Sequence, residues 1–405
     1  MPIDRTLKVT VASIGRCHMF DLARQIKALG QEVSLLTGYP QQKVDRELRP
    51  IARTHPMWVF AEHLCLRLPW DPPGWLLYQQ ARDFGEWAAK CLHNQKPDIF
   101  DALDGGGLEA GRMLRDRGSV WICNRGAAHV VTQKLLLEEE HRRWGIPIPR
   151  HYFASDHIDR SLAEYGGADA IVVPSRFVAR SFQEQGVPAE KVYVCPYGVD
   201  LSMFAPQPKL DDKFRVIFVG TQSIQKGMGY LLDGLRPLVQ NRAVEIWMVG
   251  QTGSDAHEIL RRNATLFTHK GVQPRSQLAA LYSQASVLVL PSVQDGFGLV
   301  MAQAMACGVP VIATQNTGAE DLFTADGVEG FIIPIRNPLA IRHKVQWMLD
   351  NPELRDRMAA AAVSRVKRLG GWRTYGLQCL KVYRNLLLQK NEEDSSENFA
   401  WSARQ

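Results

Sequence analysis

Short apolar runs alternate with amphipathic stretches along almost the whole chain. KVTVAS (Lys8–Ser13) reads as a buried strand. A turn at Gly15 follows, then MFDLARQIKALG, whose apolar positions recur at helical spacing and stop at Gly30. EVSLLT, DIFDAL, SVWICN, AIVVPS and KVYVCP continue as strands, and the spacing predicts helices over 108–117 and 176–185 between them. This is the order of a doubly wound α/β sheet, mostly parallel. Tyr197–Lys213, rich in Gly, Pro and charge, reads as a linker. The pattern then restarts with FRVIFVG, a helix after Lys226, VEIWMVG, SVLVLPS, VPVIAT and GFIIPI. The alternation predicts two doubly wound halves, residues 1–204 and 205–370, and a basic helix near the end. Beyond Gln389 the polar NEEDSSENFAWSARQ predicts a flexible tail over 391–405. In such sheets ligands bind outside the carboxyl ends of the strands, here in a cleft between the halves.

Composition narrows the class. The chain has 405 residues, enough for two domains, and 45% hydrophobic with 22% charged residues is the balance of a soluble globular protein. No run approaches the roughly 18 apolar residues needed to span a bilayer. The opening MPIDRTLKVTVASIG has no apolar core or small-residue cleavage site, so no signal peptide is expected. The seven cysteines are scattered and never form C-x-x-C, which argues against a disulfide framework and a structural zinc. A cytoplasmic location is the expectation, with peripheral contact at the inner membrane face as an added one. Net charge is +6: up to Asp200, 25 Lys+Arg stand against 24 Asp+Glu, and from Leu201 on 23 stand against 18. So mild an excess predicts no nucleic-acid partner and suits an anionic small molecule or weak contact with a membrane surface.

One stretch carries most of the chemistry. QDGFGLVMAQAMACGVPVIAT (Gln294–Thr314) places a glycine-flanked turn between an apolar strand and a short helix. Gly296 and Gly298 let backbone amides approach a ligand, and the helix starting near Leu299 offers unpaired N–H groups and a positive dipole end. That layout suits an anion such as a diphosphate, although glycine turns also join strands to helices without any ligand.

The stretch PSVQDGFGLVMAQAMACGVPVIAT closely resembles the donor-site signature of glycosyltransferase family 4. Further blocks agree in order and spacing: VPSRFVARSFQEQGVPAEKVYVCPYGVDLSMF, FVGTQSIQKGMGYLLDGL, HKGVQPRSQLAALYSQASVLVLPS, NTGAEDLF and GFIIPI. The resemblance covers roughly Lys8 to Gln389 and is weakest over 40–97. It implies a GT-B fold: two Rossmann-like doubly wound domains facing each other, with a helix over 371–390 crossing back to the first domain. It further implies a retaining transferase that moves a sugar from a nucleotide-diphosphate donor to a hydroxyl acceptor, in polysaccharide or glycolipid synthesis.

Roles follow by position. The resemblance places Asp295 on hydroxyls of the donor sugar and Gln303 at the ribose. The backbone of Phe297, Gly298 and Leu299 would face the diphosphate, and Lys226 would neutralise its phosphates and stabilise the leaving group. Gly220 ends the first strand of the second domain, and the base would be read by backbone near Val272. Glu320 matches an acidic position near the donor, or serves as a charge at a helix start. Two departures stand out. Thr221 occupies a position where many relatives carry arginine. Gln303 replaces a carboxylate and offers one acceptor oxygen to the ribose, a loss of about 1–2 kcal/mol.

On the first domain, Gly15 in SIGRCH is expected to face the donor phosphates, with Arg16 and His18 either at the cleft or structural. LDGGGLE (Leu103–Glu109) is another glycine turn opening on the cleft. His129, just past the strand SVWIC, is the candidate active-site polar group, or a helix-start histidine. Arg125 would meet phosphate or acceptor charge, or pair with an acidic neighbour. The resulting expectation is a catalytic set of His129, Asp295 and Lys226, no metal and no cofactor beyond the donor substrate, and a saccharide or lipid-linked acceptor. The segment 55–87 holds four of the ten tryptophans, and reads as a helical subdomain or an apolar patch for a lipid-linked acceptor or membrane. The alternative for the whole chain is a non-catalytic sugar-nucleotide-binding or partner-binding protein that keeps the fold.

Overall fold

The computed structural model describes residues 5–58, 74–149 and 153–402. Two parallel sheets carry the molecule. The first holds β1 (Lys8–Ser13), β2 (Glu32–Thr37), β3 (Ala52–Thr54), β4 (Ile99–Leu103), β5 (Val120–Asn124), β6 (Ala170–Val173) and β7 (Val192–Val194), in the order β3-β2-β1-β4-β5-β6-β7. The second holds β8 (Arg215–Val219), β9 (Glu245–Val249), β10 (Thr268–Gly271), β11 (Val287–Leu290), β12 (Val311–Thr314) and β13 (Gly330–Ile333), in the order β10-β9-β8-β11-β12-β13. The central strands are buried on both faces, which is why they read as unbroken Val/Ile/Leu runs. Within the first sheet Val9 aligns with Val33 on one side and Ile99 on the other. This register brings the ends of β1, β4 and β5 to one rim.

Three features set the rim of one domain against that of the other. The linker, residues 195–214, forms no helix or strand but is not loose. Cys195 and Phe204 are buried, and a Cβ on Gly198 would lie 2.2 Å from the Trp372 nitrogen. Second, Ser175 Oγ donates to the Gly296 carbonyl (2.6 Å), and Tyr230 Oη donates to Glu140 (2.8 Å), which also pairs with Arg336. Trp144 fills the space above Gly229, where a Cβ would come within 2.0 Å of its ring. Third, the final helix, Trp372–Ser402, returns to the first domain. Its Trp372, Tyr375, Cys379 and Tyr383 share one core with Leu7, Val9, Met19 and Leu22.

Within the stretch expected to be a tail, 391–405, the helix continues through Ser402. The segment is polar and holds weak helix formers such as Asn391, Ser395 and Ser396, yet no proline stops the helix. In the tryptophan-rich segment, residues 59–73 and with them Trp70 lie outside the described residues. On its flanks Trp58 Nε1 donates to Asp83 (2.9 Å), and the His55 and Trp87 rings stack. Among the described residues no helix is long and apolar enough to cross a membrane.

Candidate functional site

The loop after β11 is shaped by close approach. Gly298 has φ 72°, in the left-handed region, and a Cβ there would meet Leu290 at 2.7 Å. A Cβ on Gly296 would lie 1.8 Å from the Gly126 carbonyl of the opposite domain. Glycine is therefore what lets this loop touch the far side of the cleft. The helix Leu299–Ala306 starts directly from it, with its N-terminal N–H groups at the rim.

Lys226 arrives from β8 through a turn closed by Gly227, whose φ is 72° and whose Cβ would lie 2.0 Å from the Pro291 carbonyl. That contact holds the turn against the end of β11. Lys226 Nζ consequently lies 2.5 Å from Asp295 Oδ2, and both side chains are mostly buried. Asp295 Oδ1 accepts from the Gly298 amide at 3.1 Å. The Gly298 N–H is thus bonded to Asp295, and the two charges expected at the donor pair with each other here. The short Asp295 side chain bends back onto its own loop. Gln303 is buried, and its Oε1 accepts from Tyr282 Oη at 3.0 Å. Its one acceptor oxygen is thus already bonded.

A cavity of about 830 Å³ opens between the domains beside these groups. Leu299, Gln303 and Arg275 line it from the second domain, and Arg16, His18 and Asp21 from the first. Phe297 is buried against Tyr197 (ring centroids 5.4 Å), so only its backbone belongs to the loop surface. Gly15 sits in an open turn, where a Cβ would meet nothing within 4 Å. Gly220 has φ 140° and lies so close to Gly250 that a Cβ on Gly250 would meet the Gly220 carbonyl at 2.1 Å. Val272 is 71% exposed at the sheet edge, near Lys270, whose Nζ sits over the Trp247 ring. Glu320 takes the helix-start alternative, in the first turn of the helix Ala319–Leu322, and pairs with Arg180 across the domain interface at 2.5 Å.

The first-domain rim is built from buried polar groups. His129 caps the helix Val130–Trp144, its Nδ1 accepting from the Val131 amide (3.3 Å), with Tyr165 and Phe182 against its ring. The structure supports the helix-start alternative for this residue. Burial, helped by nearby Arg125, pushes it down to about 4, so its imidazole is neutral at pH 7. His18 starts the first helix and stacks on Tyr197 (4.4 Å). Its Nε2 donates to Asn124 Oδ1 (2.8 Å), Asn124 Nδ2 donates to Asp101 (3.3 Å), and Tyr383 Oη donates to Asp101 (2.7 Å). Desolvation lowers His18 to about 4 and raises Asp101 to about 7. This chain fixes the imidazole with Nε2 protonated. Asp101, Asn124 and Tyr383 lie outside the blocks that carry the resemblance, and the fold joins them.

Arg16 pairs with Asp45 (2.9 Å). Arg125 takes the acidic-neighbour alternative: it pairs with Asp104 and donates to Gln133 (2.6 Å) and the Ala128 carbonyl (3.0 Å). Asp104, Cys123 and Glu164 bring ligand-type atoms within 4.8 Å of one another. Glu164 there accepts from the Gly105 and Gly107 amides (2.9 and 3.0 Å), and Asp104 is held by Arg125, so hydrogen bonds already occupy most of this donor set.

Two family models match the chain. Glycosyltransferase Family 4 matches residues 17–203, and Glycosyl transferases group 1 matches residues 213–351. A D-inositol 3-phosphate glycosyltransferase from Frankia alni is 25% identical over 91% of this chain and 94% of its own length. One of the same name from Segniliparus rotundus is 29% identical over 58% of each. Among solved structures, sucrose-phosphate synthase from Thermosynechococcus elongatus superposes with a TM-score of 0.73 at 20% identity, covering 95% of this chain and all of that one. Anabaena HepE in complex with UDP-glucose gives 0.66 at 16% identity, covering 93% and 99%.

Proposed function

The chain belongs to glycosyltransferase family 4 and is a glycosyltransferase, and we propose that it transfers a hexose from a nucleoside diphosphate to a hydroxyl acceptor with retention at the anomeric carbon. The observation that carries this reading is the Lys226–Asp295 pair beside the N-terminus of the Leu299–Ala306 helix. A diphosphate arriving at that helix end draws Lys226 away from Asp295. The freed carboxylate then accepts from hydroxyls of the donor sugar. Lys226 and the helix N–H groups stabilise charge as the bond from the anomeric carbon to the diphosphate oxygen breaks. The acceptor oxygen bonds to the same face of that carbon, and its proton passes to the departing phosphate. His129, buried as a helix cap, is left a supporting role in shaping the wall. Polysaccharide or glycolipid synthesis, with a saccharide or lipid-linked acceptor at a cytoplasmic membrane face, remains the wider setting proposed. Met57 and Trp75, 59% and 58% exposed, favour a membrane contact. Vesicle co-sedimentation of the wild type against a Trp58/Trp70/Trp75 replacement tests that, and equal negligible binding rejects it.

The test of function is donor cleavage. UDP-, GDP- and ADP-sugars are incubated with the protein, and slow release of the nucleoside diphosphate is expected from one of them. The rival reading, a sugar-nucleotide-binding protein without catalysis, is favoured by Gln303, whose acceptor oxygen is taken by Tyr282. It predicts binding with no release. Relatives named for inositol 3-phosphate make cyclitol phosphates natural members of the acceptor panel.

A further inference from the structure

One stretch of the first domain touches the second domain at two places, and each place adjoins one half of the Lys226–Asp295 pair. Its leading turn meets Gly296, the neighbour of Asp295, where a Cβ would lie 1.8 Å from the Gly126 carbonyl. The helix Val130–Trp144 follows and reaches the second domain again at its far end. There Trp144 covers Gly229, where a Cβ would meet its ring at 2.0 Å, and stands edge-on to Tyr230 (ring centroids 5.5 Å). Gly229 and Tyr230 belong to the first turn of the helix Met228–Gln240, which starts from Gly227, the residue after Lys226.

The second contact centres on one carboxylate. Glu140 is fully buried, and the second domain uses both of its oxygens. Oε2 accepts from Tyr230 Oη (2.8 Å), and Oε1 pairs with Arg336. Arg336 also reaches Glu139 (2.8 Å). It has φ 61°, a conformation that residues other than glycine rarely adopt, and it lies in the turn before the helix Pro338–Asp350. That helix packs on Met228–Gln240: Arg342 Nε donates to the Gly234 carbonyl (2.9 Å), and a Cβ on Gly234 would lie 2.6 Å from the Pro338 carbonyl. Glu140 therefore grips the helix after Lys226 directly and through its neighbour. A buried carboxylate is stable only with its partners in place, and both of these come from the opposite domain. Within the second domain, the Lys226 turn is held at Gly227 by the Pro291 carbonyl and at Ile224, whose amide donates to Asp255 (3.1 Å). Both anchors precede the helix. Glu140 and Trp144 add a third, from the other domain, on its first turn.

We propose that Glu140 is a positioning residue for the diphosphate site. Acting through Tyr230, it holds the first turn of Met228–Gln240 and with it the place of Lys226, so that the lysine is set for the diphosphate while the first domain is docked. This role rests on Lys226 meeting a diphosphate; it does not need transfer to follow.

Tyr230→Phe is the sharpest probe, because it removes the hydroxyl bonded to Glu140 and keeps the ring against Trp144. Affinity for UDP, GDP and ADP is read by calorimetry in the wild type, Tyr230→Phe, Lys226→Ala and the double variant. The nucleoside diphosphate that the wild type binds should bind about threefold to tenfold more weakly to Tyr230→Phe, up to the scale of one lost hydrogen bond to a charged group. In the Lys226→Ala background the same change should move affinity by less than about twofold, because a tyrosine that acts through the lysine has nothing left to place. A tyrosine with a merely structural role would weaken binding equally in both backgrounds. Glu140→Ala should show the same pattern; should it lose its thermal unfolding transition, Tyr230→Phe decides alone. Unchanged affinity in a folded Tyr230→Phe, an equal loss in both backgrounds, or no nucleoside diphosphate bound by the wild type overturns the role of Glu140. Release of nucleoside diphosphate from the donor panel by the wild type decides the transferase reading separately.

Discussion

The two walls of the cleft differ in the polar groups they bury. The second-domain wall keeps its charges: Lys226 and Asp295 stand 2.5 Å apart beside a helix N-terminus. The first-domain wall keeps none free. His18 and His129 are held near 4, His157 is lowered, and Arg125 and Arg160 are matched by Asp104 and Glu109. One wall presents a lysine beside a helix N-terminus, and the other presents histidines lowered by burial.

The comparison can be broken most sharply at the charged wall. Lys226→Ala should lower turnover about 10²–10³-fold, the usual cost of removing one stabiliser of developing charge. Its melting temperature should stay near the wild-type value, since Asp295 keeps the Gly298 amide. Turnover close to wild type would remove Lys226 from the mechanism. The neutral wall is tested by pH. His129 is depressed in the fold from its ordinary value near 6.5, so the unfolded chain takes up a proton first as pH falls. Its contribution is complete above pH 6.5 and is lost between 6.5 and about 4, by at most about 3 kcal/mol. His129→Asn keeps a good helix cap and should shed that loss, read as a smaller drop in urea stability between pH 6.5 and 4.5. An identical drop in both proteins would mean the imidazole is not held neutral. Asp101 works against it, for its raised value favours the fold as pH falls from about 7.

Behind the neutral wall, Tyr383→Phe removes the hydroxyl bonded to Asp101 and should cost about 1–3 kcal/mol in urea unfolding. No loss would show that the carboxyl finds another partner. The smallest effect is a gain. Gln303→Glu keeps an acceptor for Tyr282 and adds a charged oxygen toward the ribose, so affinity for the nucleoside diphosphate of whichever donor is cleaved should rise about tenfold by calorimetry. Weaker binding would place the ribose elsewhere.

The walls also differ in how openly the sequence declares them. The charged wall lies in one strand, turn and helix, and its glycines and Asp295 are neighbours in the chain. Eleven of the strands are equally plain as apolar runs, while β3 and β10 are not. ART is three half-exposed residues, and THKG is polar at a sheet edge, so neither has a buried face to mark it. The neutral wall is assembled by topology. Asp101, Asn124 and His18 meet because β1, β4 and β5 are adjacent, and Tyr383 reaches them from 282 residues away. His129 is legible as a position but not as a cap, and Glu320 matches a pattern while its charge serves Arg180. A contiguous motif reports the residues it contains, whereas partners drawn from distant elements leave no spacing to read.

The returning helix has a consequence for how the protein is made. Leu7, Val9 and Met19 are synthesised long before Trp372, Tyr375 and Tyr383, which cover them. The second domain, residues 215–333 in its sheet, emerges whole before that cover exists. On the ribosome the usual N-terminal-first order is therefore inverted in its final step. The first domain waits, one apolar face open, until the returning helix emerges to close it.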